Sequence, residues 1–263
     1  EGLGKAVPED ASLVIMVGAT EAFLPEERQT LAAYLKAGGR LLLLFDPETG
    51  ATDLELLKEL GLKMQNSLAA TDTYRVRIAG HRESPYNLVS SRFSSHVSVK
   101  TLNDAHGRLY VVVLGAGTLT RDEKAPANVK TDFILQSLPE TYVDQNANQA
   151  QDKDSEKAGA VNFGAAVELN LDSKQARALV FADADLFGDG ILRNPGNAYL
   201  LLDGLKWLIG EEAIMGEVES EKDVAIVHRK DKDTLWFYGT SFLIPVSVLV
   251  GGLLYCKRRD RNA

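Results

Sequence analysis

The sequence predicts an α/β domain, a mostly parallel sheet with flanking helices, followed by a C-terminal transmembrane helix. Three observations predict it. Between Ala11 and Gly61, short apolar runs alternate with amphipathic stretches, the β-α-β-α order that builds parallel sheets through right-handed crossovers. Leu235 to Cys256 is a run of 22 residues without a charge, which at about 1.5 Å per residue reaches about 33 Å, the thickness of a bilayer core. Lys257, Arg258, Arg259 and Arg261 follow at once, and basic residues beside a span stay on the cytoplasmic side.

Taken in order, Ala11 to Gly18 is rich in β-branched residues and too short for a helix, so it reads as a buried parallel strand ending at the Gly18-Ala19-Thr20 turn. Pro25 and the acids Glu26 and Glu27 open a helix that carries Leu31, Tyr34 and Leu35 at helical spacing and stops at Gly38-Gly39. Arg40 to Phe45 is a second buried strand ending at Asp46-Pro47, and Asp53 to Leu60 a short helix closed by Gly61. Thr73 to Ile78 and Val97 to Leu102 read as short strands around a polar 80–96 loop. Leu109 to Leu114 reads as a further strand, and Phe133 to Leu135 leads into Glu140-Thr141-Tyr142. Asp144 to Lys157 has no apolar residue beyond Ala147 and Ala150, so a mobile loop is expected. Val161 to Leu171 and Ala178 to Ala182 return to strand character. A polar turn over Asp183 to Asn197 then precedes an apolar helix, Ala198 to Ile209, stopped by Gly210. Acidic Glu217 to Asp223 links to a short strand, Val224 to Val227. There is no internal repeat.

The organisation that follows is an extracytoplasmic domain over 1–215, a juxtamembrane linker over 216–234, the span over 235–256 and a cytoplasmic basic tail over 257–263. Eleven residues of the span are Leu, Ile, Val or Phe, which outweighs Thr240, Ser241 and Ser247 and favours a bilayer helix over a buried core helix. Trp236, Phe237 and Tyr238 suit the outer interface, and Pro245 predicts a kink that a neighbouring helix would compensate. Leu235, Trp236, Pro245, Gly251 and Gly252 are the expected contacts with membrane or permease. The chain starts at Glu1 without a signal peptide or first span, so 1–215 is expected to be the C-terminal part of a longer ectodomain. Taking the tail's four basic residues and one acid from the totals of 29 and 37 leaves 25 basic and 36 acidic residues before the span, a net charge of −11. Such a balance disfavours nucleic acid and anionic lipid headgroups. Cys256 is the only cysteine, so the outer domain has neither a disulfide nor a thiol nucleophile.

The turn Asp183-Ala184-Asp185-Leu186-Phe187-Gly188-Asp189-Gly190 sits where open α/β sheets bind ligands. Asp183, Asp185 and Asp189 could hold a hard cation through oxygen, but the spacing is not that of an EF-hand, and side chains capping main-chain amides are the favoured reading. Gly2-Leu3-Gly4-Lys5 lacks the hydroxyl and upstream glycine of a phosphate loop, and Gly115-Ala116-Gly117-Thr118 lacks the third glycine of a dinucleotide fingerprint. His81, His96, His106 and His228 show no zinc spacing, and Gly-x-Ser-x-Gly is absent. Ser84, Ser90, Ser91, Ser94 and Ser95 near His96 read as loop serines. No cofactor, metal or catalytic residue is expected.

Five blocks in order, over 11–47, 92–102, 140–144, 159–169 and 178–212, resemble the GldG-like auxiliary subunits of ABC transport systems, a family first named for gliding motility. The last block is the most specific, with a strand, an aspartate turn, Gly196-Asn197 and a Trp207 helix ending in Gly-Glu-Glu. The resemblance implies a domain similar in fold to class I glutamine amidotransferases outside the bacterial inner membrane. It also implies a C-terminal span beside an ABC permease and its ATPase, with room for other copies or extracytoplasmic partners, and it transfers no catalytic residue. An amidotransferase needs a cysteine on a sharp turn after a strand, and Gly18-Ala19-Thr20 offers none. The expected function is a non-enzymatic, membrane-anchored accessory subunit whose ectodomain contacts or gates cargo. Two rivals are a glycan- or polymer-binding module using Tyr86, Phe93 and Tyr142, and a degenerate hydrolase using Asp183, Asp185 or the Ser/His loop.

Overall fold

The computed structural model describes residues 6–48, 54–73, 76, 83–171, 174–211 and 237–261. The chain divides into two compact units, Glu1–Gly216 and Glu217–Ala263. The first begins with β1 (Val14–Val17), α1 (Pro25–Lys36), β2 (Arg40–Leu44), α2 (Leu54–Glu59), β3 (Leu62–Gln65) and β4 (Leu68–Ala70). Then come β5 (Asn87–Ser90), β6 (Arg92–Phe93), a 3-10 turn at Val97–Val99, α3 (Lys100–Asp104), β7 (Val111–Leu114) and β8 (Thr118–Arg121). It ends with β9 (Val129–Gln136), β10 (Tyr142–Asp144), β11 (Asn162–Leu171), β12 (Lys174–Phe181) and α4 (Pro195–Ile209).

One sheet of eight strands, ordered β1-β2-β12-β11-β8-β3 with β9 and β6 branching from β11, carries the fold. The parallel pairing expected from the β-α-β-α order is present where β2 lies between β1 and β12, with Leu42 beside Ile15 and Leu179. From β12 onward the strands run antiparallel. Only residues 172 and 173 separate β11 from β12, too few for a crossover, so those strands must form a hairpin. Alternate side chains of each strand point to opposite faces, and each face has its own core. Leu42, Leu44, Leu179 and Phe181 pack beneath Leu200, Trp207 and Leu208 of α4. On the other face Leu41, Leu43, Ala178 and Val180 pack with Leu31 and Leu35 of α1 and Leu56 and Leu57 of α2.

Local chemistry explains the starts of the helices. Pro25 sits at the first turn of α1, and the Leu24 amide donates to Glu27 Oε2 at 3.0 Å, which satisfies one of the donors a helix start leaves open. Val97 to Leu102, read as a strand, is instead a 3-10 turn running into α3. His96 Nδ1 accepts the Ser98 amide at 3.2 Å, and the Asp203 carboxylate of α4 accepts the Thr101 amide at 2.8 Å and its hydroxyl at 3.1 Å. These acceptors cap the helical turns and outcompete the Val-x-Val alternation. Most of the strand expected at Thr73 to Ile78, and all of Glu217 to Val227, lie outside the described residues.

The second unit contains a π-helical turn, Gly239–Leu243, followed by α5 (Ile244–Arg261). This differs from one regular span over Leu235–Cys256, whose first two residues, Leu235 and Trp236, lie outside the described residues. Pro245 has no N–H to donate one turn back, and the wide turn falls immediately upstream of it. Ser247 Oγ donates to the Leu243 carbonyl at 2.6 Å. The 18 residues of α5 end in the charged Lys257 to Arg261, and no helix among the described residues is long and apolar enough to cross a membrane.

Candidate functional site

At the C-terminal ends of β1, β2 and β12 the chain emerges at Gly18, Asp46 and Asp183, the end of the sheet at which open α/β folds carry ligands. A cleft of about 260 Å³ opens there between Asp46, Ser84, Tyr86, Gly115, Asp183 and Asp185. A wider cleft, about 920 Å³, lies at the opposite end of the strands against Tyr34, Arg40 and Ile209.

Asp183 is buried, and both its carboxylate oxygens serve the main chain: Oδ2 accepts the Leu114 amide at 2.8 Å and Oδ1 the Asp185 amide at 2.8 Å. Burial pushes its pKa up to about 7 against the pull of those two bonds, and the carboxylates of Asp185 and Asp46 push the same way. Asp185 and Asp189 are exposed, and among the described residues no group of three His, Cys, Asp or Glu is arranged to hold a metal ion. The turn therefore holds its own backbone rather than gathering three carboxylates. Gly18, at φ +54°, makes the sharp turn after β1 and has no side chain to offer as a nucleophile.

Asn197 and Gly196 explain the most specific sequence block. Asn197 is fully buried at the start of α4; its Oδ1 accepts the Val112 amide at 2.9 Å, and its Nδ2 donates to the Val112 carbonyl at 2.8 Å and the Leu186 carbonyl at 2.9 Å. The side-chain amide thus replaces a neighbouring strand along one edge of β7, and Asp183 continues the same edge at Leu114. Gly196 allows this approach, because a Cβ there would stand 1.9 Å from the Tyr110 carbonyl oxygen.

Asp144 to Lys157, expected as a mobile loop, is organised around carboxylates. Buried Asp144 accepts the Tyr86 hydroxyl at 2.7 Å and the Gln149 amide at 2.8 Å. Buried Glu156 accepts the Gln145 amide at 2.7 Å and the Asp152 amide at 3.0 Å. Burial pushes Asp144 up, but the bonds from Tyr86, Gln149, Asn148 and Ala147 outweigh it and hold the carboxyl below its usual range. Burial, then the bond to Asp144, raises the Tyr86 phenol. The sequence reading looked for apolar residues and missed this polar interior; Asp144 and Glu156 at the two ends of the run were its signal. Tyr86→Phe removes the phenol from Asp144, at about 1.5–3 kcal/mol for a bond to a charged group. The Asn148 and Gln149 amides are expected to exchange hydrogen faster in that variant, and unchanged exchange would show that the phenol does not hold the loop.

The aromatic residues, His96 and two of the serines of the rival readings are engaged within the fold. Tyr142 is 1% exposed, Tyr86 is tied to Asp144, and Phe93 is half-buried against the core, so these three do not form an exposed aromatic platform. His96 lies edge-on to Trp207 with centroids 4.9 Å apart, its Nδ1 2.8 Å from Ser98 Oγ, and burial holds it below the usual imidazole range. Ser90 and Ser94 bond the main chain: Ser90 donates to the Gln136 carbonyl and accepts the Arg92 amide, and Ser94 accepts the His96 amide. After Gly115, the Gly117 amide donates to the Ala182 carbonyl at 2.8 Å and Thr118 opens β8, so no helix N-terminus faces that turn. Gly2 to Lys5, His81 and His228 lie outside the described residues.

No family model and no curated protein matches the chain. Among solved structures, the N-terminal domain of mmIFT52 is similar at 18% identity and a TM-score of 0.55, over 76% of this chain and 78% of that one. A ThuA-like protein from Bacteroides uniformis is 14% identical, with a TM-score of 0.42 over 76% of this chain and 70% of its own. One from Parabacteroides merdae is 14% identical, with a TM-score of 0.43 over 79% and 74%. At these identities the likeness is one of fold alone, and it rests on the first. None of these comparisons bears on the resemblance to GldG-like subunits, which rests on the sequence blocks alone.

Proposed function

We propose that this chain is a non-catalytic accessory subunit of a bacterial ABC transporter, anchored in the inner membrane near its C-terminus. Its amidotransferase-like domain faces outward to contact or gate cargo. The observation that carries the proposal is the state of the sheet edge where such a fold would do chemistry: Gly18 occupies the sharp turn, and both oxygens of Asp183 are committed to amides. In this reading the domain serves binding and mechanical coupling, with ATP hydrolysed by another chain. Support for the transporter comes from the GldG-like blocks, and support for the anchor from the uncharged run at 235–256 and the basic residues after it.

In this reading Gly251 and Gly252 give a permease helix close access, since a Cβ at either would meet nothing within 4 Å. Pro245 sets the bend that fits the permease. Purification of the full chain from its native membrane in mild detergent is expected to bring down a permease and an ATPase. Recovery of the chain alone, or in the soluble fraction, would refute the assignment.

A further inference from the structure

Of the two histidines among the described residues, His106 is exposed and His96 is packed into the fold. His96 caps the 3-10 turn Val97–Val99, with Nδ1 accepting the Ser98 amide at 3.2 Å and standing 2.8 Å from Ser98 Oγ. A ring nitrogen has one lone pair, so Nδ1 takes that amide only when it carries no proton, and the ring's proton must then sit on Nε2. An imidazolium can donate to Ser98 Oγ but cannot accept. Ser98 is fully buried, so protonation of the ring strands its amide away from solvent. The ring is also hemmed in: Ser94 Oγ accepts the His96 amide at 3.1 Å, and Trp207 of α4 stands edge-on to the imidazole with centroids 4.9 Å apart. The Arg177 guanidinium already lies 5.1 Å from the centre of that indole, so a charged His96 adds a second cation beside one ring.

We propose that His96 is an acid-released latch: taking up a proton frees the 3-10 turn and α3 from α4 while the sheet stays folded. The released part is short and held at few points. Val97 and Val99 share a core with Leu200 and Trp207 of α4, and beyond them Asp203 accepts the Thr101 amide and hydroxyl. The charges around the ring pull both ways. Asp132 of β9 and Glu168 of β11 favour a charged ring, Lys130 of β9 and Arg177 of β12 oppose it, and Lys130 stands 3.1 Å and 3.8 Å from the two carboxylates. On the other neighbouring elements, Lys100 is paired with Asp104 at 2.6 Å in α3, α4 carries Asp203 and Lys206, and β6 carries Arg92. Burial keeps the closed ring neutral, below the usual imidazole range. Once the turn opens, the ring meets water and takes up a proton near 6.5. The closed form thus binds fewer protons than the open one, and opening gains as pH falls below 6.5, by up to about tenfold per pH unit, until the closed ring itself titrates. The latch needs only this chain and is independent of the transporter reading.

Hydrogen exchange of the full chain in mild detergent tests the latch. Between pH 7.5 and 5.5 the protection factor of the Ser98 amide is expected to fall several-fold, up to about tenfold, while the amides of β2 and β12 lose none. His96→Asn keeps a capping oxygen that does not titrate, and its Ser98 protection is expected to be the same at both pH values. Asp203, whose carboxyl burial raises, is present in both chains, so the difference between them belongs to His96. Should the variant fail to fold, the ring itself decides: nitrogen-15 spectra of the wild-type chain at pH 7.5 are expected to place the proton on Nε2. Unchanged wild-type protection, a fall that His96→Asn retains, a fall shared evenly by β2 and β12, or a proton on Nδ1 overturns the latch.

Discussion

Gly196→Ala is expected to destabilise the domain by about 3–5 kcal/mol, a large share of the 5–15 kcal/mol that holds a typical domain folded. The added methyl would stand 1.9 Å from the oxygen and 2.6 Å from the carbon of the Tyr110 carbonyl. Both are main-chain atoms ahead of β7, so no side chain can rotate out of the way, and α4 must lift. When it lifts, Asn197 leaves the Val112 amide, the Val112 carbonyl and the Leu186 carbonyl, all of them buried or nearly so. An unmade buried hydrogen bond costs about 1–3 kcal/mol, so losing two or three accounts for the figure. Asn197→Ala is expected to cost nearly as much without any clash, and the two losses should not add, because they break the same contacts. Gly159→Ala is the control: nothing lies within 4 Å of its Cβ and a change under about 0.5 kcal/mol is expected. Urea unfolding followed by circular dichroism measures all three. A Gly196→Ala midpoint close to that of Gly159→Ala would mean that α4 does not dock on β7 as described.

What the sequence disclosed depended on whether apolar residues or polar side chains build the element. Leu41 to Leu44 was readable as a strand because buried parallel strands are continuous apolar runs, whereas Val14 to Val17, expected to be buried in the same way, is a strand at the sheet's end with Ile15 and Val17 exposed. The Trp207 helix was readable for the same reason, being the apolar cover of one sheet face. Val97 to Leu102 has the alternation of a strand, and what makes it helical is Asp203, 102 residues beyond Thr101, which a local pattern does not contain. The loop from Asp144 to Lys157 failed the apolar test, yet Asp144 and Glu156 order it from within through main-chain amides. In the antiparallel half, β11 and β12 were readable as strand runs, but β3 and β8 were hidden because they are short and carry exposed residues.

The candidate site divides in the same way. The sequence drew attention to Asp183 and favoured a capping role for the acidic turn, which the bonds to Leu114 and Asp185 express. It did not associate Asp46, Ser84 and Tyr86 with that turn, although all line one cleft. Asp46 was the available signal, since it ends a strand parallel to the one that Asp183 ends.

Asp183→Ala is the second large effect, and the behaviour of Asp183 with pH separates its two roles. Alanine leaves the Leu114 and Asp185 amides without acceptors, at an expected cost of about 2–5 kcal/mol. In the wild-type chain the carboxyl titrates near 7 when folded and near 3.8 in the ordinary state. Between those values the folded chain holds a proton that the unfolded chain has released, so stability must fall as pH rises. The contribution is full below about 4, declines through the window and is gone once the pH passes about 7. A shift of roughly three pH units corresponds to at most about 4 kcal/mol. Asp144, held below the usual carboxyl range, acts in the opposite sense near the acid end, losing its stabilisation as pH falls through its folded pKa. The comparison with Asp183→Asn isolates the first effect. Asparagine cannot ionise and still accepts one of the two amides, so its stability should be lower than wild type at pH 5 and should not share the decline toward pH 7.5. Parallel profiles for the two chains would place the Asp183 pKa in the ordinary range and remove the burial penalty on its charge. A converging pair would show a cleft that gains a negative charge beside Asp46 and Asp185 near neutrality, at the expense of the bonds that close the edge of β7.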